Sequence, residues 1–247
     1  MKAKAAIVTG CNGDIGKAVS EHLNKNDFFV IGIDKLGKKN KYIDKYLKFD
    51  FNKIVMDSEH QKSFKKELLR SLNKFKLELL VNNAAVQHLN RRDVNTNINK
   101  LVESFNVNAI SPFLIYKICE KQLIANEGSL VNIGSIHSSL TKKEFGFYAS
   151  SKAALKALNN SIAIDNGGKV LTYLIEPAAI DTKMLRSGFS NINEFKKLSK
   201  FHPSRSIGKT DDIANLILLL HKSKIKFLHG TNIDLSGGIK YLLNDPA

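Results

Sequence analysis

Strand-like apolar runs alternate along this chain with longer stretches whose apolar residues return every three or four positions. The runs predict strands over residues 5–9, 28–33, 46–49, 77–81, 129–133, 170–175 and 231–235. The longer stretches predict helices over residues 15–26, 60–72, 100–125, 149–165 and 211–220, with Asp211 after Thr210 read as part of the cap that starts the last one. Such alternation is the pattern of a parallel sheet covered by helices on both faces. No linker, repeat or low-complexity tract divides residues 1–247, so one doubly wound α/β domain is expected. Residues 183–205 have mixed helical and loop character, and their late place in the chain predicts a mobile substrate lid.

Composition narrows the setting. With 43% apolar and 25% charged residues, the chain has an ordinary globular balance. Its two cysteines, Cys11 and Cys119, are too few for a disulfide framework and lack metal-ligand spacing; a reducing compartment, the cytoplasm, and no metal are expected. The first ten residues read as a strand and not as a signal peptide. The longest strongly apolar stretch, residues 213–220, is broken by Asn215 and falls far short of the ~20 residues a bilayer requires. A formal net charge of +15 raises nucleic acid, acidic membranes and acidic carrier proteins as partners. The lysines are nevertheless spread along the chain without a basic block or interleaved aromatic residues, so a lysine-rich surface with no specific nucleic-acid or membrane partner is expected.

The segment Thr9-Gly10-Cys11-Asn12-Gly13-Asp14-Ile15-Gly16 lies between the first predicted strand and the first predicted helix. Glycines there allow a tight turn and close backbone approach, and the helix N-terminus offers N–H groups and a positive dipole end to a pyrophosphate. Asp34 ends the second predicted strand, where an acid accepts hydrogen bonds from the adenosine ribose and repels a 2′-phosphate. This favours NAD over NADP, although Lys35, Lys38 and Lys39 follow closely and offset part of the repulsion.

Tyr148 and Lys152 stand one helical turn apart in Tyr148-Ala149-Ser150-Ser151-Lys152, with Ser135 upstream. A Tyr and a Lys at this spacing are common on helices, so the pair alone says little. If they share a pocket, the ammonium favours the phenolate: lowering a phenol from ~10 to ~7 takes about three units, or roughly 4 kcal/mol. A second positive group, such as a bound nicotinamide ring, would assist.

Taken together, the glycine loop, Asn82-Asn83-Ala84-Ala85, Asn108, Ser135, Tyr148 and Lys152 resemble the short-chain dehydrogenase/reductase family over residues 4 to about 238. The resemblance implies a Rossmann-type domain with a seven-stranded parallel sheet, a homotetramer or homodimer, and reversible hydride transfer between a nicotinamide and a small alcohol or ketone substrate. It implies Tyr148 as general acid/base, Lys152 as the residue that lowers its pKa and binds the nicotinamide ribose, and Ser135 as the group that polarises the substrate oxygen. Asn108 matches the asparagine that bends the long helix and holds a water on the path from Lys152 to solvent. Gly10, Asn12, Gly13, Asp14, Ile15 and Gly16 match the pyrophosphate loop and Asp34 the ribose acid. Asp50 and Phe51 match the pair at the adenine, Asn82 and Ala84 the loop beneath the adenosine ribose, and Pro177, Ile180 and Thr182 the segment that grips the carboxamide.

Three positions depart from the family pattern. Asp14 stands where glycine is usual, and its carboxylate would repel pyrophosphate if it faced it, so its side chain is expected to turn away. Ala178 replaces another usual glycine, and the approach to the sixth strand, Asn166-Gly167-Gly168-Lys169, looks shortened. For the substrate, Gln87 and His137 resemble carboxylate ligands of bacterial 3-hydroxybutyrate dehydrogenases, but the lysine of those enzymes is Phe145 here. Phe145, Phe147, Met184 and Leu185 equally suit an apolar pocket for a larger ketone or acyl chain, and a 3-oxoacyl-carrier reductase is the next alternative. A cofactor-binding sensor or nucleic-acid-binding protein without turnover is the non-enzymatic alternative.

Overall fold

A computed structural model describes residues 3–37, 40–90, 97–189 and 191–242. Its centre is a seven-stranded parallel sheet, β1 (Lys4–Thr9), β2 (Phe29–Asp34), β3 (Lys45–Lys48), β4 (Lys76–Asn82), β5 (Ser129–Ile133), β6 (Leu171–Pro177) and β7 (Asn232–Leu235), in the order β3-β2-β1-β4-β5-β6-β7. Every residue of β5 and β6 is buried, because helices cover both faces and no polar alternation is needed. Successive side chains still serve opposite layers. Ala6 and Val8 of β1 join one core cluster, while Ile7 between them joins the other. The strand order reverses direction between β1 and β4, and a crevice for ligands opens beyond the carboxyl ends of strands at such a point.

The helices are α1 (Asp14–Asn24), α2 (Phe51–Met56), α3 (Ser58–Leu72), α4 (Ile98–Phe105), α5 (Ser111–Ala125), α6 (Gly146–Asn166), α7 (Lys183–Arg186), α8 (Ile192–Phe201) and α9 (Thr210–Ser223). The expected helix over 100–125 is divided: a π-helical turn, Asn106–Ile110, separates α4 from α5. Pro112, in the first turn of α5, has no N–H for the carbonyl four residues earlier, that of Asn108, and the chain takes a wider turn there. One further expectation is corrected. The cap of α9 comes from Asp212, which accepts from Lys209 N at 2.7 Å, while Asp211 reaches across to His22 of α1 at 3.0 Å. Residues 183–205 combine helix and loop, with α7 and α8 started by Thr182 and Asn191, whose side chains accept from Leu185 N and Glu194 N.

At the opposite, amino end of the strands, His221 of α9 is buried with Nδ1 3.2 Å from Ser129 Oγ and Nε2 3.8 Å from Glu78. Burial first, then Lys224, Lys4 and Lys222, push its pKa down to about 4. Between about pH 6.5 and 4 the unfolded chain takes up a proton that the native state refuses. Stability present above that window is therefore lost as pH falls through it, by roughly 3 kcal/mol. In thermal melts at pH 7 and 4.5, His221→Gln should lose less Tm than the parent; an equal loss would contradict this.

Candidate active site

Helix α6 begins at Gly146, earlier than periodicity indicates, so Tyr148 lies in its first turn and Lys152 one turn on. Lys152 is 2% exposed, and its Nζ donates to Ile133 O at the end of β5 at 2.7 Å and sits 5.7 Å from the centre of the Tyr148 ring. Ser135 is buried just beyond β5, where its Oγ accepts from His137 N at 3.1 Å and starts the 3₁₀ turn Ile136–Ser138. The structure thus brings Ser135, Tyr148 and Lys152 to the carboxyl end of β5.

The charge state differs from expectation. Burial holds the Tyr148 phenol up at about 12, with the Ser135 hydroxyl's hydrogen bond acting the other way. Burial also pushes Lys152 down to about 7. The lowered phenol expected from the pair is absent because desolvation acts on both groups and the ammonium is committed to the Ile133 carbonyl. In this state the tyrosine carries its proton at neutral pH.

Asn108 is 0% exposed in the π turn. Its Oδ1 accepts from Val86 N at 2.8 Å, and its Nδ2 donates to Val86 O and Ser151 Oγ, each at 2.9 Å. Ser151 Oγ in turn donates to Tyr148 O at 2.8 Å. The amide therefore fastens the segment after β4 to the first turn of α6. It thereby holds Ser151, the residue before Lys152.

The cofactor loop is built by close approach. Gly10 has φ +63°, and a Cβ there would lie 2.8 Å from Ala84 Cα. Thr9 Oγ1 accepts from Asn83 N (2.9 Å) and Ala84 N (3.0 Å), and Asn83 Nδ2 donates to Thr9 O and Gly10 O. Thr9 and Asn83, which stand in the two sequence motifs without an assigned role, tie the two loops together. Gly13 caps α1 without a side-chain hydrogen bond, and Ile15 and Gly16 follow in its first turn. Asp14 Oδ2 accepts from Lys183 N at 2.6 Å, joining the start of α1 to the start of α7, next to Thr182.

Asp34 is buried, and its carboxylate accepts from Asn12 N and Leu36 N, each at 3.0 Å. Asn12 Nδ2 and Tyr46 Oη both donate to Leu36 O, at 3.1 and 2.5 Å. Lys35 is exposed, and Lys38 and Lys39 lie outside the described residues. Asp50 caps α2 by accepting from Asn52 N at 2.9 Å, while the Phe51 ring is buried in the core, leaving only its backbone for a base. Asn82 spends its amide on Pro112 O and Asn132 Oδ1, so it supports the loop from beneath. Pro177 ends β6, Ile180 is buried and bridges to Gly208, and Thr182 Oγ1 accepts from Leu185 N at 3.2 Å. A nicotinamide dinucleotide fits this cleft: the start of α1 is uncapped by side chains, the Asp14 carboxylate is occupied by Lys183 N, and a buried acid, Asp34, ends β2 beside the glycine turn.

On the substrate side, the His137, Phe145 and Tyr148 rings form one cluster, with centroids 4.9 Å (His137 to Phe145), 6.0 Å (His137 to Tyr148) and 6.2 Å (Phe145 to Tyr148) apart. Lys142 Nζ lies 4.2 Å over Phe145. Gln87 is half-buried between Val86, held by Asn108, and His88, which meets Glu103 at 2.9 Å. Met184, on α7, is 44% exposed and no part of the ring cluster.

A parallel Rossmann-type sheet with a glycine turn after β1 and a Ser–Tyr–Lys group beyond β5 defines an NAD(P)-binding oxidoreductase fold. A family model described as enoyl-(acyl carrier protein) reductase matches residues 10–240, and the chain belongs to the short-chain dehydrogenase/reductase family. A 3-oxoacyl-(acyl-carrier-protein) reductase of Buchnera aphidicola (subsp. Schizaphis graminum) is 29% identical over 245 residues, covering 97% of this chain and 98% of that relative. Carbonyl reductase (NADPH) 2 of Sus scrofa is 33% identical over 165 residues, 66% of this chain and 67% of that relative. Among solved structures, ligand-free aldohexose dehydrogenase of Thermoplasma acidophilum superposes with a TM-score of 0.87 at 23% identity, covering 100% and 97% of the two chains.

Proposed function

We propose that this enzyme interconverts a secondary alcohol and a ketone, with Tyr148 exchanging the hydroxyl proton, Ser135 hydrogen-bonding the substrate oxygen and Lys152 holding the nicotinamide ribose. A nicotinamide, when bound, supplies or accepts the hydride. The observation that carries this reading is the convergence of Tyr148, buried Lys152 and Ser135 beyond β5, beside the glycine turn. A phenol that keeps its proton up to about 12 suits proton donation to a carbonyl oxygen, and so reduction at neutral pH. Asn108 positions the tyrosine's turn, and residues 183–205 act as the substrate lid.

NAD is the proposed cofactor. Two backbone N–H groups fix the Asp34 carboxylate, so it does not swing aside for a 2′-phosphate. Asp34→Ala should narrow the ratio of NAD to NADP kcat/KM by about tenfold, equivalent to ~1.4 kcal/mol. An unchanged ratio would show that another group discriminates.

The His137 geometry bears on the substrate. Nδ1 lies 3.3 Å from Leu140 O, which only accepts, so Nδ1 carries the proton; burial lowers the ring's pKa, and the neutral ring offers Nε2 as an acceptor. That suits a substrate N–H or O–H better than a carboxylate. That counts against a carboxylate at His137, and the activity in the Buchnera relative's name supports the 3-oxoacyl thioester reading. A basic groove of about 540 Å³ lined by Lys45, Lys66 and Arg70 includes the start of β3, away from the strands' carboxyl ends, and serves no part in this reading.

The buried free thiols of Cys11 and Cys119 support residence in a reducing compartment, the cytoplasm, and family membership supports a homotetramer or homodimer. A spectrophotometric panel with both cofactors, including acetoacetyl thioesters, 3-hydroxybutyrate, steroids and sugar alcohols, tests the reading. Nicotinamide absorbance should change with at least one carbonyl or alcohol. No change with any, together with nucleic-acid binding that falls steeply with salt, would contradict it.

A further inference from the structure

Glu176, the penultimate residue of β6, is 0% exposed although Tyr173, Leu174 and Ile175 beside it are apolar core residues. A carboxylate so far from water persists only when it is paired and hydrogen-bonded. Its Oε2 lies 3.2 Å from Lys156 Nζ on α6 and 3.1 Å from Lys240 Nζ in the 3₁₀ turn Ile239–Tyr241. Its Oε1 accepts from Ser138 Oγ. Lys156 Nζ also donates to Ser139 Oγ at 3.1 Å, and Lys240 and Tyr241 both reach Asp234 at the end of β7.

These contacts converge on the catalytic parts. Ser138 N donates to Ser135 O at 2.9 Å within the turn that Ser135 starts, and Lys156 follows Lys152 by one turn of α6. One buried charge therefore joins the Ser135 turn, the Tyr148 helix and the C-terminal turn. Two carboxylates and two lysines make the cluster neutral, which lets it sit in the interior without a stray charge beside the reacting groups.

We propose that Glu176 is a positioning residue, which sets the distance between the Ser135 turn and the Tyr148–Lys152 face of α6 and braces both against the C-terminal turn through Lys240. The inference rests on the roles given above to Ser135 and Tyr148. A misplacement of about 1 Å in such a site is enough to lower turnover on the order of 10²-fold.

The test compares Glu176→Ala, Glu176→Gln, Ser138→Ala and Lys240→Met, using whichever carbonyl in the panel turns over fastest. It reads kcat, KM, NADH affinity by fluorescence, and Tm. Glu176→Ala should lower kcat by about tenfold or more with NADH affinity within about twofold, and Glu176→Gln, which keeps an acceptor for Ser138, should recover part of the loss. Ser138→Ala should lower kcat in the parent and add nothing in the Glu176→Ala background. A kcat per folded enzyme within about twofold of the parent in Glu176→Ala, even with lower Tm, would overturn the proposal. Should Glu176→Ala fail to fold, unchanged kcat in both Ser138→Ala and Lys240→Met would do the same. Tyr148→Phe is run alongside: parent-like turnover there would defeat the site assignment itself, a result distinct from failure at Glu176.

Discussion

Tyr148→Phe should lower kcat by about 10³-fold, inside the 10²–10⁴ range of positioned acid–base catalysis, while NADH affinity stays within about twofold. The substitution removes one oxygen from a ring that also packs against His137 and Phe145, so the site keeps its shape and loses its proton carrier. The pH dependence has a definite sign. Burial raises the phenol to about 12, so carbonyl reduction, which needs the protonated form, should be level through neutral pH and decline only in the alkaline range. Alcohol oxidation needs the phenolate and should rise with pH. Both dependences should vanish with the hydroxyl.

Lys152→Met should reduce kcat by about 10²-fold or more and at the same time raise Tm. The ammonium is buried and pushed from 10.5 down to about 7. Between those values the unfolded chain binds a proton that the native state does not, so native stability rises with pH over this interval. Below pH 7 the penalty is roughly 5 kcal/mol. Methionine fills similar volume without that penalty. Melts at pH 7 and 9 check the point, because the buried thiols of Cys11 and Cys119, raised from 9.0 to about 12, act oppositely mainly above pH 9. The parent should gain Tm between the two pH values and the variant should gain less. A variant both inactive and less stable at pH 7 would point to a structural lysine.

Much of this was legible in the chain. The inner strands stand out because a parallel sheet buried on both faces needs apolar runs, and the Tyr148–Lys152 spacing, the glycine turn and Asp34 lie in local motifs. The π turn at Asn106–Ile110 escaped periodicity because one wider turn barely disturbs a helical pattern; Pro112 was its signal. Asp50, Asp57 and Asn97 cap helices whose starts were missed or misplaced, since a single polar residue before a short helix is a weak mark. Glu176 was invisible for a different reason. Its partners Ser138, Lys156 and Lys240 lie 38, 20 and 64 positions away, and only the fold brings them to one carboxylate. The tyrosine's raised pKa likewise depends on burial, which spacing does not report.

The central claim is hydride transfer between a nicotinamide and a substrate carbon. NADH deuterated at the transferred C4 position, incubated with the enzyme and the fastest carbonyl of the panel, tests it most directly by mass spectrometry of the product. One deuterium on the carbinol carbon for each NADH consumed is predicted, with formation about 10³-fold slower in Tyr148→Phe. NADH bound tightly with no deuterated product from any carbonyl, or equal label transfer by the phenylalanine variant, would contradict the account.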